Sequence, residues 1–380
     1  MATLIVVEDL AGPASIGRGG HSMYVLQWLH SLERFGHEVF FLEFLKDHSV
    51  ATTVAVRHFR EIMESWWRLD RAALILEASM TSLCGMGMEE IKRSAGRAGA
   101  LITLAAHYRS QPFPLLDKIR PRILIDQDPG YTQLWAAGGD AADVFGNHDL
   151  YYTVGCHIGS ASCHVPTLGI RWRRLANPVV LEWWSSEEPP SRNRLTTVAD
   201  WRSYGYLEFE GKVLGPKAEE FRKFVAIPRQ SGEEIEIALE IDPQDPDLEL
   251  LRGHGWRVTS PEAVATPEHY RRYISGSLGE LSCAKGGYVG TRCGWFSDRS
   301  ACYLAAGRPV VLQATGFEDF LPTGQGLLSF QTIEQAVEAI QAIRTDYRRH
   351  SAAARNIARE YLAGECVVRR LLREAEIGGA

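Results

Sequence analysis

The chain has 380 residues, 45% of them hydrophobic and 23% charged, with a formal net charge of −6. That length exceeds one ordinary core, so two domains are expected. The acidic balance argues against nucleic acid or an anionic membrane surface as partner, since both need basic faces, and seven scattered cysteines suit reduced thiols in a cytoplasm rather than a disulfide framework.

"TLIVVED" (3–9) is a short apolar run, read as a first buried parallel strand rather than a secretion signal, because no basic leader precedes it. No apolar run reaches the length of a membrane span. The loop "LAGPASIGRGG" follows. Val25, Leu29 and Leu32 then recur at helical spacing, Gly36 stops the helix, and "HEVFFLEF" is the next strand. "GALITLA" (99–105) and "RILIDQDPG" (122–130) are further apolar strands with polar C-terminal ends. Up to about residue 160 the pattern is one doubly wound domain. Residues 160–193, rich in Trp, Arg and Pro without a period, read as a loop-rich linker. "RLTTVAD" restarts the strand pattern. A helix opened by Pro216, the strand "EIEIALEI", and a further helix, turn and strand follow. The stretch 293–320 reads as loop, short helix, buried strand and loop. Residues 352–362 and 367–377 form terminal helices parted by Gly364.

The candidate site residues fall in loops that should open on one edge of a sheet, where α/β proteins hold ligands. Ser297 is a good N-cap for a helix starting at Asp298, followed by Arg299 and Ser300; such a helix start offers free N–H groups and partial positive charge to a phosphate. Arg292, Arg299 and Lys285 are cations that could add charge-assisted bonds. The loop Thr315, Gly316, Phe317, Glu318, Asp319 should open beside them. Gly19 and Gly20 permit close backbone approach to a ligand or to the other domain. "GRGGHS" is not the dinucleotide fingerprint, so a nicotinamide cofactor is not supported. His21 at a helix start could act as a base, or as a structural hydrogen-bonded histidine. Asp126 and Asp128, two apart, should face the same side of a strand end, and Asp128 could accept an acceptor proton; the Asp-Pro-Gly turn accounts for part of this pattern. "CHIGSASCH" (156–164) invites a zinc reading, but its spacing matches no common site.

Two stretches carry a resemblance. "GRGGHSMYVLQWLHSLERFGHEVFFLEF" and "SACYLAAGRPVVLQATGFEDFLPTGQGLLSFQTIEQAVEAI" look like the N-terminal and donor-site signatures of GT-B glycosyltransferases. The resemblance implies two Rossmann-like α/β domains facing a cleft, with C-terminal helices crossing back to the N-terminal domain. It further implies residues 1–190 as an acceptor-side domain, 191–350 as a nucleotide-sugar donor domain and 351–380 as the returning helices. The implied reaction moves a sugar from a nucleoside-diphosphate sugar to a hydroxyl of a small molecule or glycan. It needs no metal and no cofactor beyond the nucleotide-sugar substrate. The catalytic candidates are His21 and Asp128. Where many retaining members carry a Glu pair, this chain has Gly294 and Cys302, and Glu318 or Asp319 could contact a sugar hydroxyl instead. A nucleotide-sugar epimerase on the same fold and a non-catalytic nucleotide-sugar binder are the alternatives; incubation with donor alone separates them.

Overall fold

The computed structural model describes residues 1–46, 51–105, 114, 116, 118–184 and 189–378. The first half runs β1 Thr3–Val7, α1 Gly19–Glu33, β2 Glu38–Leu45, α2 Ala51–Trp66, β3 Ala72–Leu76, β4 Thr81–Gly85, α3 Met88–Gly96, β5 Ala98–Thr103, β6 Arg122–Asp126, α4 Tyr131–Ala137, α5 Ala141–Phe145, β7 Leu150–Thr153 and β8 Trp172–Arg174. These strands form one sheet in the order β4-β3-β2-β1-β5-β6-β7-β8. Only β4, on the edge, runs antiparallel to its neighbour. The unbroken apolar runs of β1 and β3 follow from their position: both faces of a parallel sheet are covered, so alternation disappears.

The second half runs β9 Leu195–Asp200, β10 Leu207–Phe209, β11 Lys212–Leu214, α6 Lys217–Lys223, α7 Ile227–Ser231, β12 Ile235–Glu240, α8 Asp247–Gly253, β13 Trp256–Thr259, α9 Pro267–Ser275, β14 Gly279–Ser282, α10 Gly286–Thr291, α11 Asp298–Ala305, β15 Val310–Gln313, β16 Leu327–Phe330, α12 Ile333–Thr345, α13 Tyr347–Ile357 and α14 Gly364–Glu374. Its sheet is wholly parallel in the order β13-β12-β9-β14-β15-β16. Counted from β9 this is 3-2-1-4-5-6, the doubly wound order of dinucleotide-binding folds. The expectation of two Rossmann-like domains with returning helices is met.

Four local expectations are corrected. The stretch read as linker contains β8, which pairs with β7 on the edge of the first sheet. Its three residues are too short to show a period; residues 185–188 lie outside the described residues. The helix opened by Pro216 stops at Lys223 and restarts at Ile227. The first terminal helix begins earlier than expected, at Tyr347, where the Asp346 side chain accepts the Arg349 N–H. Gly364 opens α14 rather than parting two helices. A Cβ there would lie 2.2 Å from the Ser31 hydroxyl, so only glycine lets α14 cross α1 this closely. Val368 and Leu371 of α14 then join Leu4, Val6 and Trp28 in the first core.

Helix α1 packs against both halves. Its Leu29 and Leu32 face the first core, while Met23 belongs to a core shared with Ile274, Tyr303 and Leu304 of the second half. The Gln27 amide oxygen accepts the Val180 N–H at 3.2 Å and the Trp184 indole N–H at 3.0 Å. No helix among the described residues is long and apolar enough to cross a membrane.

Candidate active site in the interdomain cleft

The strand orders fix where a ligand can sit. In the first sheet the order reverses between β1 and β5, and in the second between β9 and β14. Chain leaving neighbouring strands there diverges to opposite faces and opens a crevice. The two crevices face each other across a cleft of about 350 Å³, lined by Glu8 and Leu104 from one side and Ala199, Asp200 and Lys285 from the other.

The second-domain wall gathers the cations Lys217, Lys285 and Arg299 beside the carboxyl groups of Asp200, Glu240 and Asp298. Lys217, the first residue of α6, is 5% exposed yet lines the cleft. Among the described residues it has no hydrogen bond or ion pair. Burial, reinforced by the Arg299 and Lys285 charges, pushes its ammonium well below the usual lysine range. A desolvated, unpartnered ammonium among like charges is unfavourable unless an anion completes it. Lys285 lies beside it, with its Nζ 3.1 Å from the centre of the Tyr204 ring. Burial pushes it down to about 8, against the pull of Asp128 and Asp200. The start of α11 completes this wall. The Ser297 hydroxyl accepts the Arg299 N–H at 3.2 Å, and Asp298 projects into the cleft, its carboxyl raised by burial.

Arg299 borders the cleft but its side chain is engaged inside the domain. It is 8% exposed and donates to Glu280 Oε1 at 2.5 Å, to the Val198 carbonyl at 3.0 Å and to the Ser282 hydroxyl at 2.9 Å. Ser300 is fully buried behind it. Arg292 lies outside the cleft, its side chain 54% exposed and 3.9 Å from Glu318. The loop 315–319 also lies outside. Thr315 bonds the Trp295 carbonyl, Phe317 packs against Phe296, the Gly316 N–H donates to Glu318 at 3.1 Å, and Asp319 Oδ2 lies 3.0 Å from His157 Nε2. The reason is strand order: this loop follows β15, one strand beyond the switch point, and a first-domain loop occupies its neighbourhood. That loop is the Cys-His stretch. Gly155 bridges Trp295, the His157 N–H donates to the Cys293 carbonyl, and His157 Nδ1 pairs with the Arg292 carbonyl. It is an interdomain seam, and the described residues bring no three metal-ligating side chains together.

The first-domain wall carries Gly19, Gly20, His21 and Asp128. The two glycines serve the seam. A Cβ on Gly19 would lie 2.3 Å from the Thr266 carbonyl oxygen, and one on Gly20 would lie 2.9 Å from the Tyr270 ring. Of the two uses open to them, the approach to the other domain is the one the structure displays. His21 Nε2 bonds the Asp9 carbonyl and lies 3.8 Å from Glu8. Because the carbonyl can only accept, Nε2 carries the hydrogen there. Asp128 accepts the Tyr288 hydroxyl at 2.6 Å and the Tyr204 hydroxyl at 2.8 Å, both from the second domain. Asp126 does not share its side. It points into the turn, where it accepts Thr132, Gln133, Thr153 and the Asp128 N–H, and burial raises it to about 6.

Sequence reasoning missed Lys217, Glu8 and the tyrosine pair. Pro216 was recognised as a helix opener, but the hairpin β10–β11 between β9 and α6 hid that Lys217 follows a switch-point strand. Glu8 stands one residue past β1, where the rule that ligand groups gather at strand C-termini would have found it.

No protein-family model matches the chain, and no curated protein matches it by sequence. Solved structures do match. An α-glucosyltransferase, solved with UDP and a 13-mer DNA containing an HMU base, superposes with a TM-score of 0.61 at 10% identity over 98% of both chains. HepE (Alr3699) of Anabaena, solved with UDP-glucose, gives 0.57 at 9% identity over 99% of this chain and all of its own. A glycosyltransferase of Rickettsia africae gives 0.55 at 9% identity, covering 99% and 98%. The fold is that of the GT-B glycosyltransferases. At such identities the likeness concerns fold and leaves the chemistry to the residues of the cleft.

Proposed function

We propose that the protein transfers a sugar from a nucleoside-diphosphate sugar to an acceptor hydroxyl. The observation that carries this is Lys217, a buried cation without a partner beside Lys285 at the switch point of the second sheet. A diphosphate leaving group gains negative charge as the glycosidic bond breaks, and fixed positive groups stabilise that charge most in a dry site. The two ammonium groups and the N–H groups of α11 supply it, so the reading needs no metal. The structural neighbours solved with UDP and UDP-glucose support the same donor class. The donor would lie on the second-domain wall, within residues 191–350, and the acceptor on the wall of residues 1–190.

The acceptor hydroxyl must lose its proton as the sugar takes on oxocarbenium character. His21 is the candidate for this step. Asp128, held by two phenols, is better suited to fix the geometry between the domains. A small-molecule or glycan acceptor fits the net charge of −6 better than DNA.

One observation favours a second reading. Glu8, Asp128 and Asp298 place three carboxyl groups in one cleft, as a nucleotide-sugar epimerase would need. Incubation with UDP-glucose separates the two. Release of UDP that rises with added acceptor supports transfer; conversion of donor alone to an epimeric UDP-sugar supports isomerisation; the absence of both overturns the donor reading for this nucleotide sugar.

A further inference from the structure

Glu8 is used by none of the transfer steps above. It stands immediately after β1, at the switch point of the first sheet, and is 3% exposed. It lines the cleft, and its Oε2 has no hydrogen-bond partner. Its Oε1 lies 3.8 Å from His21 Nε2, too far for a hydrogen bond. His21 in turn is within electrostatic reach of Asp298, at the start of α11 on the opposite wall. Glu8 therefore lines the cleft beside the start of α1, whose His21 reaches electrostatically toward the start of α11.

Such an atom is costly to leave unpaired in a folded protein, and a cleft is where a ligand can pair it. We propose that Glu8 recognises the transferred sugar by hydrogen-bonding one of its hydroxyl groups. This deepens the donor reading and rests on it. Burial, with repulsion from Asp9 and Asp128, holds the carboxyl well above the usual carboxylate range. A carboxyl group accepts from a sugar hydroxyl and, where protonated, also donates to one. Glu8 is thus a specificity residue that selects the hydroxyl it faces, rather than a base. A site built to hydrogen-bond a hydroxyl discriminates strongly against a ligand that lacks it, because its own polar group is then left unpaired.

Calorimetry with UDP and UDP-glucose tests this on the full chain, using wild type, Glu8→Gln and Glu8→Ala. UDP has no sugar, so its binding reports on the diphosphate site and on folding. The expected result is unchanged UDP affinity in all three, with UDP-glucose weakened about tenfold in Glu8→Ala and held near wild type in Glu8→Gln, whose amide still donates. Equal UDP-glucose affinity in wild type and Glu8→Ala, with UDP bound by both, overturns the role of Glu8 alone. No binding of UDP to wild type overturns the donor reading for uridine nucleotides, and with it Glu8's role toward UDP-glucose.

Discussion

At the scale of the residue, Lys217 and Arg299 show how burial separates two cations of one wall. Arg299 has a carboxylate, a hydroxyl and a carbonyl around its fork. Lys217 has none of these. Opposite outcomes follow on substitution. Arg299→Met should strand Glu280, which is wholly buried, and cost about 3–5 kcal/mol in urea unfolding. Lys217→Met keeps the buried stem and removes a desolvated amine without a hydrogen-bond partner among the described residues, so it should stabilise the fold by about 0.5–2 kcal/mol. The same change should weaken nucleoside-diphosphate binding by about tenfold or more, the usual scale for a hydrogen bond to a charged group. Loss of stability in Lys217→Met would show that its ammonium has a structural partner. Lys285 adds a pH signature. Its ammonium, pushed down to about 8, is present below that pH and lost above it. Attraction for a diphosphate follows the same sign: UDP affinity should fall by up to about tenfold per unit above about pH 8. Lys285→Arg should flatten the curve, and a wild-type curve flat to pH 9.5 would remove Lys285 from the site.

At the scale of the element, the sequence showed most of the α/β alternation but not which loops share the cleft. Both loops of the stretch 293–320 do leave the second sheet on one edge. Only the α11 start reaches the cleft, because α11 follows β14 at the switch point and the loop 315–319 follows β15 beyond it. Strand order is set by long-range pairing, and no local pattern reports it. Hence Ser297 and Asp298 are placed on the cleft by cap chemistry, while Asp319 holds an interdomain seam through His157 and Glu318 holds its own loop through the Gly316 N–H. Asp319→Asn should accordingly lower the melting temperature and leave UDP affinity within about twofold. A tenfold loss of UDP binding would return that loop to the donor site. Gly19 makes the complementary case. Alanine there would press on the backbone of the neighbouring domain, which cannot yield like a side chain end. Gly19→Ala should cost about 1–3 kcal/mol and widen the cleft, read as a lower melting temperature with a larger radius of gyration in solution scattering.

At the scale of the whole molecule, two doubly wound sheets present their switch points to each other, and α14 returns to the first core to tie them. The first wall offers Glu8, Asp128 and a histidine; the second offers Lys217, Lys285 and a helix start beside the carboxyl groups of Asp200, Glu240 and Asp298. The two lysines and the helix start suit a donor with an anionic leaving group on the second wall, and the histidine suits a hydroxyl nucleophile on the first. The measurement that tests this most directly is calorimetric titration of wild type and Lys217→Met with UDP, GDP, TDP and CDP near pH 7. Expected is binding of at least one of these by wild type, weakened tenfold or more in Lys217→Met while the variant stays folded. Binding equal in the two proteins, or none to wild type, would contradict a diphosphate site in this cleft.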